Sequence, residues 1–139
     1  MADTGDDKPG GPRYTDHGDG TVTDNVTDLT WQQLVPTAPT GCSSGAFCTW
    51  EEAKKYCTGL ALSGTGWRLP TREEFTTLIL ESGFPPVWDM AAFPPSEASD
   101  FWTSSPYPDL PGWAWLISFQ TGGTYGENPT MPHSVRCVR

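Results

Sequence analysis

The chain contains no apolar run approaching the roughly 20 residues that a membrane-crossing helix needs. Its first twelve residues hold no apolar stretch like the core of a secretory leader. Positive charge is scarce: 8 Lys and Arg stand against 17 Asp and Glu, a formal net charge of −9. Phosphate backbones and anionic headgroups repel such a chain, so neither nucleic acid nor membrane insertion is expected. Histidine is limited to His17 and His133, and no Cys-x2-Cys knuckle is present, which makes zinc the weaker reading of the four cysteines. Ser104, Ser105 and Ser134 lack a nucleophile elbow, and His133 follows Pro132 with no evident acid partner in the sequence. Asp89, Glu97, Asp100 and Asp109 could supply paired carboxylates, but four acids along one loop are an ordinary solvated surface. No enzyme is expected.

What is present is ring and turn. Seven tryptophans, fifteen glycines and fourteen prolines in 139 residues describe one domain of ordered loops pinned by aromatics, too aromatic to be disordered. Seven of the acids fall within residues 1–28, and residues 1–12 read as a flexible linker before a single domain at 13–139. Cys42, Cys48, Cys57 and Cys137 permit three pairings, of which 42–48 with 57–137 is favoured. The short pair clips a Gly/Ser loop. The long one closes about 81 residues, worth about 4.5 kcal/mol in the chain-entropy model against about 2.4 for the clip. Disulfides place the domain outside the reducing cytosol: extracellular, at the cell surface or periplasmic.

Residues 13–16 and 20–24 read as strands around the Asp19-Gly20 turn, a strong hairpin signal. Asn25 to Gln32 alternates as a further strand, with Val26 inward and Leu29 and Trp31 sharing a face. Thr49-Trp50-Glu51-Glu52 is a capping box that opens a helix to about Gly59, presenting Trp50, Ala53 and either Tyr56 or Cys57. Thr71-Arg72-Glu73-Glu74 opens a second, with Phe75, Leu78 and Ile79 as its buried stripe and Gly83 as its stop. Half of the fourteen prolines lie between 84 and 112, which reads as a long loop region. A strand over 112–119, a turn at Gly122-Gly123 and a closing strand from His133 to Val138 complete the expectation.

Five blocks in order then carry a resemblance over about residues 13–139. They are Asp19-Gly-Thr-Val-Thr-Asp-Asn-Val-Thr-Asp-Leu-Thr-Trp-Gln, Trp50-Glu-Glu-Ala-Lys-Lys-Tyr-Cys, Gly66-Trp-Arg-Leu-Pro-Thr-Arg-Glu-Glu-Phe, Phe101-Trp-Thr-Ser-Ser and Val135-Arg-Cys-Val-Arg. Together the chain resembles the bacterial family typified by the C-terminal domain of the Legionella collagen-like adhesin. The resemblance implies an α+β, C-type-lectin-like fold: two helices, a twisted antiparallel sheet that brings the termini together, and a long loop region. It also implies a bacterial surface or envelope setting and a role in adhesion, with binding of sulfated polysaccharides. That last association transfers badly. After Arg13 the basic residues are Lys54, Lys55, Arg68, Arg72, Arg136 and Arg139, outnumbered by acids. A cluster of Arg68, Arg72 and Arg136 is the only arrangement that would serve sulfate, and pairing of the first two with Glu73, Glu74 or Glu51 is the plainer expectation. A related fold houses the formylglycine-generating oxidase, which needs copper and two reactive cysteines; here all four are expected in disulfides.

Calcium-bridged sugar binding of the C-type lectin kind needs Glu-Pro-Asn or Gln-Pro-Asp, and the chain has Glu127-Asn128-Pro129 in the wrong order. A structural calcium at Asp16, Asp19 and Asp24 is the one cofactor the sequence offers, although Asp and Gly at a hairpin need no metal. Trp31, Trp50, Trp67 and Trp102 are assigned to the core. Trp88, Tyr107, Trp113 and Tyr125, with Asn128, are the expected ligand-binding set, since sugars stack on rings rimmed by polar groups. The expected function is non-catalytic recognition of a glycan or protein at a cell surface. The alternative is a structural or oligomerisation domain of a larger surface or envelope protein, with homo-oligomers formed through the same rings.

Overall fold

The chain turns where Asp19-Gly20 says it should. The computed structural model describes residues 12–80, 87–95 and 100–139, so the linker expected at 1–12 falls outside it except for its last residue. Strand β1 (Tyr14–Asp16) pairs antiparallel with β2 (Thr21–Asp24), Tyr14 opposite Asp24. Gly20 sits at φ 91°, in the left-handed region that a Cβ disfavours. β3 (Leu29–Gln32) adds to β2 with Val22 opposite Trp31. The strand expected from Asn25 is therefore shorter: residues 25–28 bend, Asp28 taking φ 65° as its N–H returns to the Asp24 carbonyl. Val26, expected inward, stands out on that bend at 59% exposure. Alternation of apolar residues does not reveal which of them must turn the chain.

Both capping boxes form. In α1 (Trp50–Gly59) the Glu52 N–H donates to Thr49 Oγ1 and the Thr49 N–H donates to Glu52 Oε1 at 2.9 Å. Ala53 and Cys57 are its buried side. In α2 (Arg72–Thr76) Thr71 and Glu74 repeat the exchange. Phe75 and Leu78 are buried and Ile79 packs against the same core, as the spacing predicts, but the regular helix stops at Thr76 rather than near Gly83. Thr76 and Thr77 turn their hydroxyls back onto the carbonyls of Glu73 and Glu74, the competition that makes such residues poor helix formers. Gly83 itself lies outside the described residues.

The second sheet is β4 (Asp100–Pro106), β5 (Ala114–Ser118) and β6 (Thr124–Glu127), antiparallel in that order. Only β5 is legible in advance. β4 runs through the stretch expected as loop; its register shifts between Trp102 and Pro106, and the prolines beyond it conceal its pattern. The expected closing strand is instead a series of bridges: His133 to Cys48, Ser134 to Phe101, and Val138 to both Arg68 and Trp31. Alternating its partners lets this segment join the two sheets and α1.

Both favoured disulfides are present, Cys42–Cys48 with Cα atoms 4.9 Å apart and Cys57–Cys137 at 5.5 Å. The core lies on both faces of the second sheet. Phe101 and Ile117 face a cluster with Trp31, Phe75, Phe93 and Phe119, while Trp102, Ala114 and Leu116 face Ala53, Trp67 and the Cys57–Cys137 bridge. Trp50, expected in the core, is only partly buried, though its indole N–H donates to the Thr103 carbonyl.

Candidate recognition surface

The expected ligand-binding residues do not form one patch. Trp88 packs inward: its indole N–H donates to the Phe93 carbonyl at 2.8 Å and its ring lies 5.5 Å from Phe119, so it serves the core. Asn128 spends its carboxamide oxygen on the N–H and hydroxyl of Thr130, closing a turn. Tyr107 and Trp113 are brought together, the Tyr107 N–H donating to the Trp113 carbonyl across the β4–β5 connection. Tyr125 is opposite Leu116 and Gly126 opposite Trp115, so alternation sends Tyr125 to the other face of the sheet from Trp115.

On the first face a platform forms that the sequence reading only half anticipates. The Tyr107 ring meets Trp115 edge to face at 4.7 Å. It lies so close over Gly126 that a Cβ there would stand 2.6 Å from the ring, which is why a glycine occupies the middle of β6. Arg72 completes the row, its guanidinium 4.0 Å over the Trp115 ring and its Nε–H directed at Thr124 Oγ1. Its backbone N–H is taken by Ser105 Oγ. Arg72 makes no ion pair with any described residue, whereas Arg68 forms a two-pronged pair with Glu74 at 2.7 and 2.8 Å. Arg136 is buried among Phe93, Phe101 and Phe119, so it does not add its charge to a surface cluster with Arg68 and Arg72. Trp115 shares the face of Trp113 by the two-residue period of a strand, a signal the sequence carries. Arg72 opens a capping box, and nothing in the sequence marks it as stacking on a ring in the second strand that follows it.

The opposite face is buried at Leu116 and Trp102, and at its β6 edge the polar groups satisfy one another. Tyr125 is 41% exposed, and burial of its hydroxyl end together with its hydrogen bond to Asp100 pushes the phenol up to about 12. His133, for which the sequence offers no acid, lies 2.6 Å from Glu127 and edge-on to Trp102. Asp89 is occupied by the N–H groups of Ala91 and Ala92. Glu97 lies outside the described residues.

The three aspartates expected to share calcium are not gathered. Asp16 accepts from Gly18 N–H and Gln33 Nε2, while Asp19 accepts from the N–H and hydroxyl of Thr21 and from Ser63 Oγ. Those hydroxyls hold the Asp19 carboxyl down at about 2. Asp24 is buried against Arg13. Among the described residues no group of three or more His, Cys, Asp or Glu is placed to hold a metal. A groove of about 320 Å³, lined by Thr40, Lys55, Tyr56, Gly59, Leu60 and Ala61, involves none of the expected site residues. No described helix is long and apolar enough to cross a membrane.

The sequence profile of the Lcl C-terminal domain family matches residues 20–139. A comparison with curated proteins finds no match.

Proposed function

The chain belongs to the Lcl C-terminal domain family, and from that premise we propose that it is a non-catalytic, adhesin-related recognition module that binds a glycan or protein ligand at a cell surface. Disulfide bonds and an adhesin-family domain fit an extracellular or periplasmic location. The observation that carries the reading is the Tyr107–Trp115–Arg72 row, half-exposed rings on a strand framework with a guanidinium that no described carboxylate claims. Rings of this kind accept the apolar face of a sugar or a flat side chain, and a stapled framework lowers the ordering cost of binding. One free arginine does not make a sulfate-binding cluster, which favours neutral glycans or protein. The C-type-lectin-like reading rests on the terminal segment tied back to the first helix by Cys57–Cys137.

A glycan array run with calcium and again with EDTA tests this. Binding that survives EDTA and falls about 30-fold in Trp115→Ala, roughly 2 kcal/mol for a central ring, is the expected result. A blank array in both conditions would remove the glycan reading. Assembly is the second reading, supported by β6, which among the described residues has a strand partner on one side only. Sedimentation of the free domain as a closed oligomer would favour it.

A further inference from the structure

Most of the described cations are already engaged. Arg13 is paired with Asp24, Lys54 with Glu51 and Arg68 with Glu74, while Arg139 donates to the carbonyls of Leu62, Ser63 and Thr65. Arg136 is buried among phenylalanine rings. Lys55 stands exposed on α1 at the end of a flexible stem. Arg72 differs from all of these. Its guanidinium carbon is stacked 4.0 Å from the Trp115 ring centre, its Nε–H is directed at Thr124 Oγ1 at 3.3 Å, and its backbone N–H is held by Ser105 Oγ at 2.9 Å. Its two Nη groups meet no acceptor among the described residues, and neither is buried, so both face solvent. Tyr107 lies 4.7 Å from the same Trp115 ring, which puts it and Arg72 within reach of one ligand. It rests one ring face on Gly126, and its hydroxyl is likewise open to solvent. An arginine whose plane is set by an indole and whose Nε–H is taken presents its end-on edge. That edge carries two parallel N–H groups at the spacing of carboxylate oxygens.

Resting on the recognition reading above, we propose that the Tyr107–Trp115–Arg72 face takes a sugar unit bearing one carboxylate, set in an otherwise neutral glycan. The carboxylate accepts from both Nη groups of Arg72. The apolar face of the sugar ring lies on the face of Tyr107 turned away from Gly126. A carboxylate carried directly on the sugar ring keeps both contacts within one unit. Carboxylate fits this edge better than sulfate does. Its two coplanar oxygens are satisfied by one guanidinium edge, whereas a sulfate brings a third charged oxygen that the two Nη groups leave unanswered. The neutral remainder of the ligand follows from charge. A chain of net charge −9 repels a densely anionic polymer, and one arginine answers one acidic group.

The test uses the intact domain and oligosaccharides with one glucuronate, galacturonate or sialate on a neutral chain, each paired with its carboxyl-reduced derivative. Calorimetric titration should show at least one acidic member binding about ten-fold tighter than its reduced form, the difference that one charge-assisted pair makes at a half-exposed site. Raising NaCl from about 50 to about 500 mM should remove most of that difference. In Arg72→Gln the two forms should bind alike. Arg72→Lys, which keeps the charge and loses the fork, should recover only part of the preference. If Arg72→Gln does not fold, Arg72→Lys and the wild-type pairs decide. Equal binding of acidic and reduced forms throughout the panel would overturn the carboxylate and leave glycan recognition standing. A preference for the acid that persists undiminished in Arg72→Gln would overturn the assignment to Arg72. Binding of no member, whether or not an acidic peptide binds in its place, would overturn the acidic sugar, and the array of neutral glycans then judges the wider reading separately.

Discussion

Gln32 and Cys137 hold each other by backbone and side chain at once. The Gln32 N–H donates to the Cys137 carbonyl at 2.9 Å, and the Cys137 N–H donates to Gln32 Oε1 at 3.0 Å. The remaining Gln32 amide donates to the Tyr56 hydroxyl on α1. The residue that closes the long disulfide is thus fixed to the first sheet before the bridge is considered, and one buried amide is satisfied at both ends.

The first prediction concerns that junction. Cys57→Ala with Cys137→Ala should lower stability by up to about 4.5 kcal/mol, the chain-entropy value for a loop of this length. The Cys42 and Cys48 pair should cost about 2.4 kcal/mol at most. Gln32→Ala strands the Cys137 N–H and should cost about 1–3 kcal/mol even with the bridge intact. Urea unfolding of the three variants checks the order. A Gln32→Ala variant as stable as the wild type would show that the bridge alone holds the segment.

The second concerns the platform. Gly126 does not adopt a positive φ, so Gly126→Ala tests space rather than backbone strain. The new methyl should displace Tyr107 and cost about 1 kcal/mol, the low end of overpacking because the ring borders solvent. In a Tyr107→Ala background the same substitution should cost almost nothing, a coupling that a double-mutant cycle reads directly. Additive costs would place the Tyr107 ring elsewhere in solution.

The third is a pH dependence. With its phenol pushed up to about 12 by burial and by Asp100, Tyr125 keeps its proton in the folded state at pH values where the unfolded chain, near 10, has lost it. A folded value above the unfolded one means a contribution present below pH 10 and lost as pH rises toward 12. Ultraviolet titration should show tyrosine ionising late, Tyr56 being raised by burial as well, and Tyr125→Phe should remove the part that belongs to Tyr125. Asp100→Asn should bring Tyr125 part of the way back, burial accounting for the rest. Late ionisation unchanged in Asp100→Asn would leave burial as its sole cause.

These relationships differ in how far the sequence discloses them. The capping boxes at Thr49 and Thr71 are legible because each is a local exchange between residues three apart. The Asp19-Gly20 hairpin is legible for the same reason. Both disulfides match the pairing favoured among the three that four cysteines permit. β4 is not legible, because a strand with a register shift that ends in Pro106 loses its alternation. The ligand-binding set is misread at Trp88 because nothing local distinguishes a tryptophan whose N–H meets a carbonyl five residues on from one that faces solvent. The Arg72–Trp115 stack joins residues 43 positions apart, and its geometry exists only once β5 lies beside α2. The aspartates look like a calcium loop in sequence because spacing counts carboxylates and cannot show that each already has its own donors.

The last prediction exploits one of those aspartates. The Asp24 side chain is fully buried, and Arg13 meets it through Nε–H at 3.1 Å and Nη2–H at 2.9 Å while the Val26 N–H adds a third donor. Burial alone would raise the Asp24 carboxyl. The Arg13 hydrogen bond and the Val26 N–H outweigh it together, so the net direction is down. A depressed folded value gives stability that is present above the unfolded value near 3.8 and lost as pH falls through the folded one. Arg13→Met removes the larger donor and leaves desolvation in command, which reverses the direction of the shift. At pH 7 the variant should be about 3 kcal/mol less stable, the cost of leaving a buried carboxylate unpaired. As the pH is lowered from 7 to 3, Asp24 takes up a proton in the variant before it does in the wild type, and the gap between the two should close. Arg13→Met combined with Asp24→Asn should show a smaller deficit at pH 7 and little change in it with pH. Thermal unfolding at pH 7, 5 and 3 measures all three chains. A gap that stays constant across that range would mean that Arg13 acts through its contact with the Thr77 carbonyl and its packing on Tyr14, and not through the charge of Asp24.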